Sequence, residues 1–130
     1  MLEYPDVEKI VEFNLLSLSV IKVKKSDSSR VLSRAKISAA LDACKKSRED
    51  VFGKAAILLK GLVQAHAFAS GNRRTAFLAM KFFLVTNNQT LGIGDNPENA
   101  KVLLGIREDF YSDKEIKEWV KHGKIREFKR

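Results

Sequence analysis

Residues 66–75 read His-Ala-Phe-Ala-Ser-Gly-Asn-Arg-Arg-Thr, a stretch whose residue types and spacing suit the handling of phosphate. An imidazole exchanges protons near neutral pH, so His66 has the chemistry to draw a proton from an attacking hydroxyl. Gly71 lacks a Cβ and lets an anion approach the backbone. The Asn72 side-chain amide can donate to a phosphate oxygen, and the guanidiniums of Arg73 and Arg74 add charge-assisted, bidentate contacts. If a helix begins at Asn72, its first turn presents unpaired N–H groups and partial positive charge, which makes an anion cradle. Two arginines in such a turn oppose the helix dipole, which points to something anionic beside them, with Arg74 the firmer assignment. Phe68 would pin the turn to the core. A base next to cradled phosphate is the logic of phosphoryl transfer.

Consecutive helices must hold these residues. Pro5 suits a first helical position, and Val7, Ile10, Val11, Asn14 and Leu18 follow at helical spacing. From 17 to 24 the pattern drifts toward alternation, which predicts a short extended piece before a polar loop at 25–30. A second helix over about 31–46 carries Ile37, Ala40, Leu41 and Cys44 on one stripe, so Cys44 reads as a buried small hydrophobe, not a nucleophile. Ser47 with Asp50 resembles a capping box opening a third helix, which bears Phe52, Ala55, Leu59, Leu62 and His66 on one face and so places His66 on its buried side. Since the turn from His66 to Asn72 is short, this helix and the next are neighbours, with axes about 8–10 Å apart.

The fourth helix, 72–87, is apolar nearly all round between 76 and 85 and is expected at the centre of the fold. Asn96-Pro97 opens a fifth with Leu103, Ile106 and Phe110. Ser112 with Glu115 caps a sixth with Ile116, Trp119 and Val120, which Gly123 stops. His122, near that last helix's end, is explained by the dipole there and carries no function. The tail 124–130 is expected to be mobile unless Ile125 and Phe128 dock. The sum is an all-α, compact bundle of about six helices, one domain over 1–130.

Composition narrows the partners. One cysteine excludes an internal disulfide, and one cysteine with two histidines cannot supply a Cys/His zinc site. The longest apolar run is about half of what a bilayer crossing needs, and acidic residues at 3, 6, 8 and 12 stand where a secretory signal would be basic and then apolar. The expectation is a cytoplasmic protein without membrane contact. A formal charge of +8, concentrated at 22–48 and 114–130, suits polyanionic partners. No paired helix-turn-helix pattern or aromatic stacking platform supports direct nucleic-acid binding.

The stretch from His66 resembles the Fic/Doc motif, His-x-Phe-x-(Asp/Glu)-Gly-Asn-(Gly/Lys)-Arg, and is most similar to the Doc (death-on-curing) toxin branch, in which a basic residue follows the asparagine and Arg-Thr comes next. His66, Phe68, Gly71, Asn72, Arg74 and Thr75 match. The resemblance covers roughly 31–122 and leaves 1–30 poorly matched. It implies that His66 is the base for a serine, threonine or tyrosine hydroxyl of a target protein, such as a translation factor. It also implies that Gly71 and Asn72, with Arg73 and Arg74, bind the phosphates of ATP or another nucleoside triphosphate. The position that holds Mg2+ in the family falls on Ser70.

Two departures shape the expectation. The long Fic motif ends in a second arginine that serves nucleotidyl transfer, and here that place is Phe77, which favours transfer of phosphate. Ser70 replaces the metal-binding carboxylate and is a much weaker magnesium ligand. The alternative reading is therefore a catalytically degenerate relative that binds nucleotide or a partner. The family's inhibitory signature, Ser/Thr-x-x-x-Glu-Gly/Asn, is absent from the sequence, so inhibition is expected from a separate antitoxin chain.

Overall fold

The computed structural model describes residues 1–20 and 30–129. Among them are six helices: α1 (Val7–Val20), α2 (Arg34–Lys46), α3 (Val51–Ala65), α4 (Asn72–Thr86), α5 (Asn99–Arg107) and α6 (Asp113–His122). The extended pairing described is a single antiparallel bridge between Val31 and Phe68. The fold is all-α, as expected. No helix among the described residues is long and apolar enough to cross a membrane.

Helix starts follow side-chain chemistry, with small shifts from the sequence reading. Asp6 accepts the Lys9 N–H at 2.8 Å, so α1 opens two residues after Pro5. Ser33 caps α2 through the Lys36 N–H. The cap of α3 is Asp50, which takes the Gly53 N–H at 2.9 Å; Ser47 instead ends α2, and its hydroxyl accepts from Glu49. The expected Ser47–Asp50 box is thus replaced by one carboxylate at the helix mouth. Asn96 and Pro97 form a tight turn whose i→i+3 bonds lead into α5 at Asn99. At α6 the expected reciprocal box is present: Ser112 accepts from Glu115 N–H, and Glu115 accepts from Ser112 N–H. Gly123 ends α6 in the left-handed region, its N–H donating to Trp119.

The hub is α3, not α4. It packs on α2, α4, α5 and α6, whereas α4 rests mainly on α3 and α1. Ala55, Leu58 and Leu59 are fully buried on α3, while on α4 Val85 is 59% exposed and Lys81 faces solvent. The apolar run in α4 therefore overstates its enclosure. Lys54, also on α3, is buried, and its ammonium donates to the carbonyls of Cys44 (2.9 Å), Lys45 (3.0 Å) and Ser47 (2.7 Å). These are orphan acceptors at the end of α2, so Lys54 caps a neighbouring helix from within the core.

Cys44 is fully buried, as expected, and burial pushes its thiol up to about 11. The tail after α6 is docked as far as Phe128: Phe128 is buried against Phe110, and Arg126 pairs with Glu115 and lies over the Phe110 ring at 4.0 Å. Of the extended piece expected at 17–24, residues 17–20 are helical and the rest lie outside the described residues, as does most of the loop at 25–30.

Candidate active site

The turn between α3 and α4 is braced from three sides. Along one edge, Leu32 and Ser33 donate to the Ala67 carbonyl at 2.7 and 3.1 Å, and Ala69 donates to Arg30 at 2.9 Å. From inside, Phe68 is 2% exposed and anchors the turn in the core, the place read for it from sequence. Behind the turn, the buried Asn14 of α1 donates from Nδ2 to the Ser70 carbonyl (2.9 Å) and to Thr75 Oγ1 (3.1 Å). Gly71 has φ +77°, and a Cβ there would stand 3.2 Å from Asn14 Nδ2 and 3.3 Å from Ser17 Oγ. Both the backbone conformation and the close approach of α1 require glycine.

His66 is placed differently from the sequence expectation. Helix α3 stops at Ala65, and His66 caps it in the left-handed region at φ 52°, exposed to solvent. The stripe that put it on a buried face does not extend to it. A left-handed residue is a common way to end a helix, and Asn88 and Asp109 take the same conformation after α4 and α5; here it turns His66 out of the helix.

Asn72 also differs. Its side chain closes on the turn, Oδ1 accepting from Phe68 N–H at 3.0 Å and Nδ2 donating to Phe68 O at 2.8 Å. The amide expected to meet phosphate is a staple of the loop, and the backbone N–H is what Asn72 can offer a ligand.

Unlike α2, α3 and α6, helix α4 has no side-chain cap: its N-cap is Gly71, and the first N–H taken up by a helix carbonyl is that of Thr75, bonded to Gly71 O at 2.9 Å. The N–H groups of Asn72, Arg73 and Arg74 precede the ladder. His66, Ser70, Gly71, Asn72, Arg73, Arg74 and Phe77 line one wall of a cleft of about 1070 Å3. Opposite stand Asp95, Asn96 and Pro97 with Lys101 and Arg107 of α5, and Val63, Leu103 and Leu104 also line the cleft. Arg73 and Arg74 are exposed, and no ion pair among the described residues holds either. Lys101 is paired with Glu127 at 2.9 Å. Among the described residues the lining is therefore cationic, with Asp95 its one carboxylate.

That donor set does not suit magnesium. A hard divalent cation takes several oxygens, carboxylates foremost, and Ser70 offers a neutral hydroxyl where Asp95 is the only acid lining the cleft among the described residues. No cluster of three or more His, Cys, Asp or Glu able to hold a metal occurs among the described residues.

The sequence offers Asp95 as another source of a metal ligand, but Lys101 and Arg107 carry no such signal, because their approach to the turn depends on how α5 packs on α3. Asn14 carried a signal: it is a lone amide on the apolar stripe of α1, where a buried polar group needs a partner. His122 is exposed, 4.0 Å from Glu118 and apart from the cleft lining.

The model of the Fic/DOC family matches residues 20–84, half the chain's length, from the end of α1 through Leu84 of α4. The match takes in α3, the turn with His66 and the uncapped start of α4. The chain belongs to the Fic/DOC family. Relative to the span read from sequence, the match begins earlier and stops before α5 and α6. No curated protein matches the chain significantly. Fic/DOC membership suggests a transferase-type role.

Proposed function

We propose that the protein is a Doc-like transferase that moves the terminal phosphate of ATP or another nucleoside triphosphate to a hydroxyl of a target protein. The observation that carries this reading is the exposed, left-handed His66 opening onto the same cleft as the uncapped, arginine-flanked start of α4. The first-turn N–H groups with Arg73 and Arg74 hold the phosphates. His66 takes the proton of the target hydroxyl as its oxygen bonds to the terminal phosphorus; the bond to the bridging oxygen breaks, and the nucleoside diphosphate leaves. Phe77, half-buried and 6.4 Å from the Trp119 ring, adds no charge for the far phosphates, which favours phosphate over nucleotidyl transfer. No step is assigned to magnesium.

Incubation with host lysate and triphosphate labelled at either the terminal or the α-phosphate tests the reading. Label is expected on protein from the terminal position only; transfer of the α-label contradicts it. A second reading is favoured by Ser70: a degenerate relative that binds nucleotide or a partner without transferring a group. It predicts binding with neither label transferred. In either case a partner chain that covers the cleft, in the manner of an antitoxin, fits the family resemblance, and co-purification from the native host with the cleft protected from exchange is the expected result.

A further inference from the structure

Asn14 of α1 is fully buried and reaches across to the turn that precedes α4. Its Nδ2 donates to the Ser70 carbonyl at 2.9 Å and to Thr75 Oγ1 at 3.1 Å, while its Oδ1 is buried without a hydrogen-bond partner among the described residues. An unmet acceptor inside a core is costly. Set against that cost are the two bonds its Nδ2 makes, of which the one to the Ser70 carbonyl bears on the turn.

What it does follows from peptide geometry. The Ser70–Gly71 bond is trans, so its N–H points away from its carbonyl. With the carbonyl drawn back toward α1 by Asn14, the Gly71 N–H is aimed the other way, into the cleft that Gly71 lines. We infer that Asn14 is a positioning residue: by gripping the Ser70 carbonyl it fixes the peptide that presents the Gly71 N–H, adding a donor to the anion cradle ahead of Asn72, Arg73 and Arg74. This rests on the proposed phosphate-binding role of the cleft and assigns α1 a part in it. Ser17 supplies the comparison: its hydroxyl belongs to the same buried cluster, 2.9 Å from Asn14 O and 3.5 Å from Thr75 Oγ1, but no bond from it to the Ser70 carbonyl is present.

The test is a titration of the unmodified protein, Asn14→Ala and Ser17→Ala with inorganic tripolyphosphate, followed by calorimetry and by amide NMR, with thermal melting of each. In the unmodified protein the Gly71 amide should shift as the anion binds. Asn14→Ala should weaken binding about tenfold, the loss of one charge-assisted hydrogen bond, whereas Ser17→Ala should lower the melting temperature and leave binding within about twofold. Equal affinity in Asn14→Ala, or equal weakening in both variants, overturns the inference and leaves the proposed function standing. A Gly71 amide that does not move while those of Arg73 and Arg74 do overturns it without any variant, so the test survives an Asn14→Ala protein that fails to fold. No binding by the unmodified protein removes the inference and the cradle together.

Discussion

A serine hydroxyl at position 70 offers a divalent cation one neutral oxygen, where the family's carboxylate offers charge. Nucleotide affinity in the unmodified protein should therefore change little between magnesium and chelator, and Ser70→Asp should introduce a magnesium dependence readable by titration calorimetry. Strong dependence before the change would assign the ligand to another group, with Asp95 across the cleft the first to replace. Asn72 and Arg74 separate by kind. Asn72→Ala removes both bonds that staple the turn to Phe68, so denaturant melts should show about 1–3 kcal/mol of lost stability. Arg74→Ala, on an exposed side chain, should leave the melt unchanged and weaken triphosphate binding by about 1–3 kcal/mol. Residue types gave the motif, the Phe68 anchor and the inert Cys44 directly. They could not show that the Asn72 amide closes on its own loop or that His66 falls one residue past its helix, because both depend on where the chain leaves helical geometry.

The elements are joined by polar contacts as much as by apolar faces. Lys54 replaces a cap at the end of α2 from inside α3, and Lys54→Met should cost about 2–3 kcal/mol in urea unfolding because three carbonyls lose a charged donor. The tail is latched to α6 by Arg126 on Glu115, and that guanidinium, with the Ser112 N–H, lowers the Glu115 carboxyl from 4.5 to about 2. A carboxyl lowered by folding contributes fully above its unfolded value and loses its contribution as pH falls through the folded one. The melting-temperature difference between the unmodified protein and Glu115→Gln should accordingly shrink between pH about 4.5 and about 2. A difference constant across that window would show that the latch is not electrostatic. The helices were legible from periodicity and caps, with the α6 box read correctly because both partners sit on the chain three residues apart. The hub was not: an apolar run marks α4 as buried, but α3 is enclosed through Lys54 and small residues whose burial only packing reveals.

Across the whole bundle, one end of α3 and the start of α4 stand against the α5 side of the cleft, with α1 behind. The sequence made the fold class and the motif wall readable, since these are local; the α5 wall and the α1 support are contacts between segments far apart in the chain. If His66 acts as the base at this cleft, its loss must show in the rate of terminal-phosphate transfer to target protein, measured for the unmodified chain, His66→Ala and His122→Ala. His66→Ala should lose about 10²-fold or more with nucleotide affinity and melting temperature retained, while His122→Ala should transfer at the unmodified rate. Transfer by His66→Ala at the unmodified rate would contradict it.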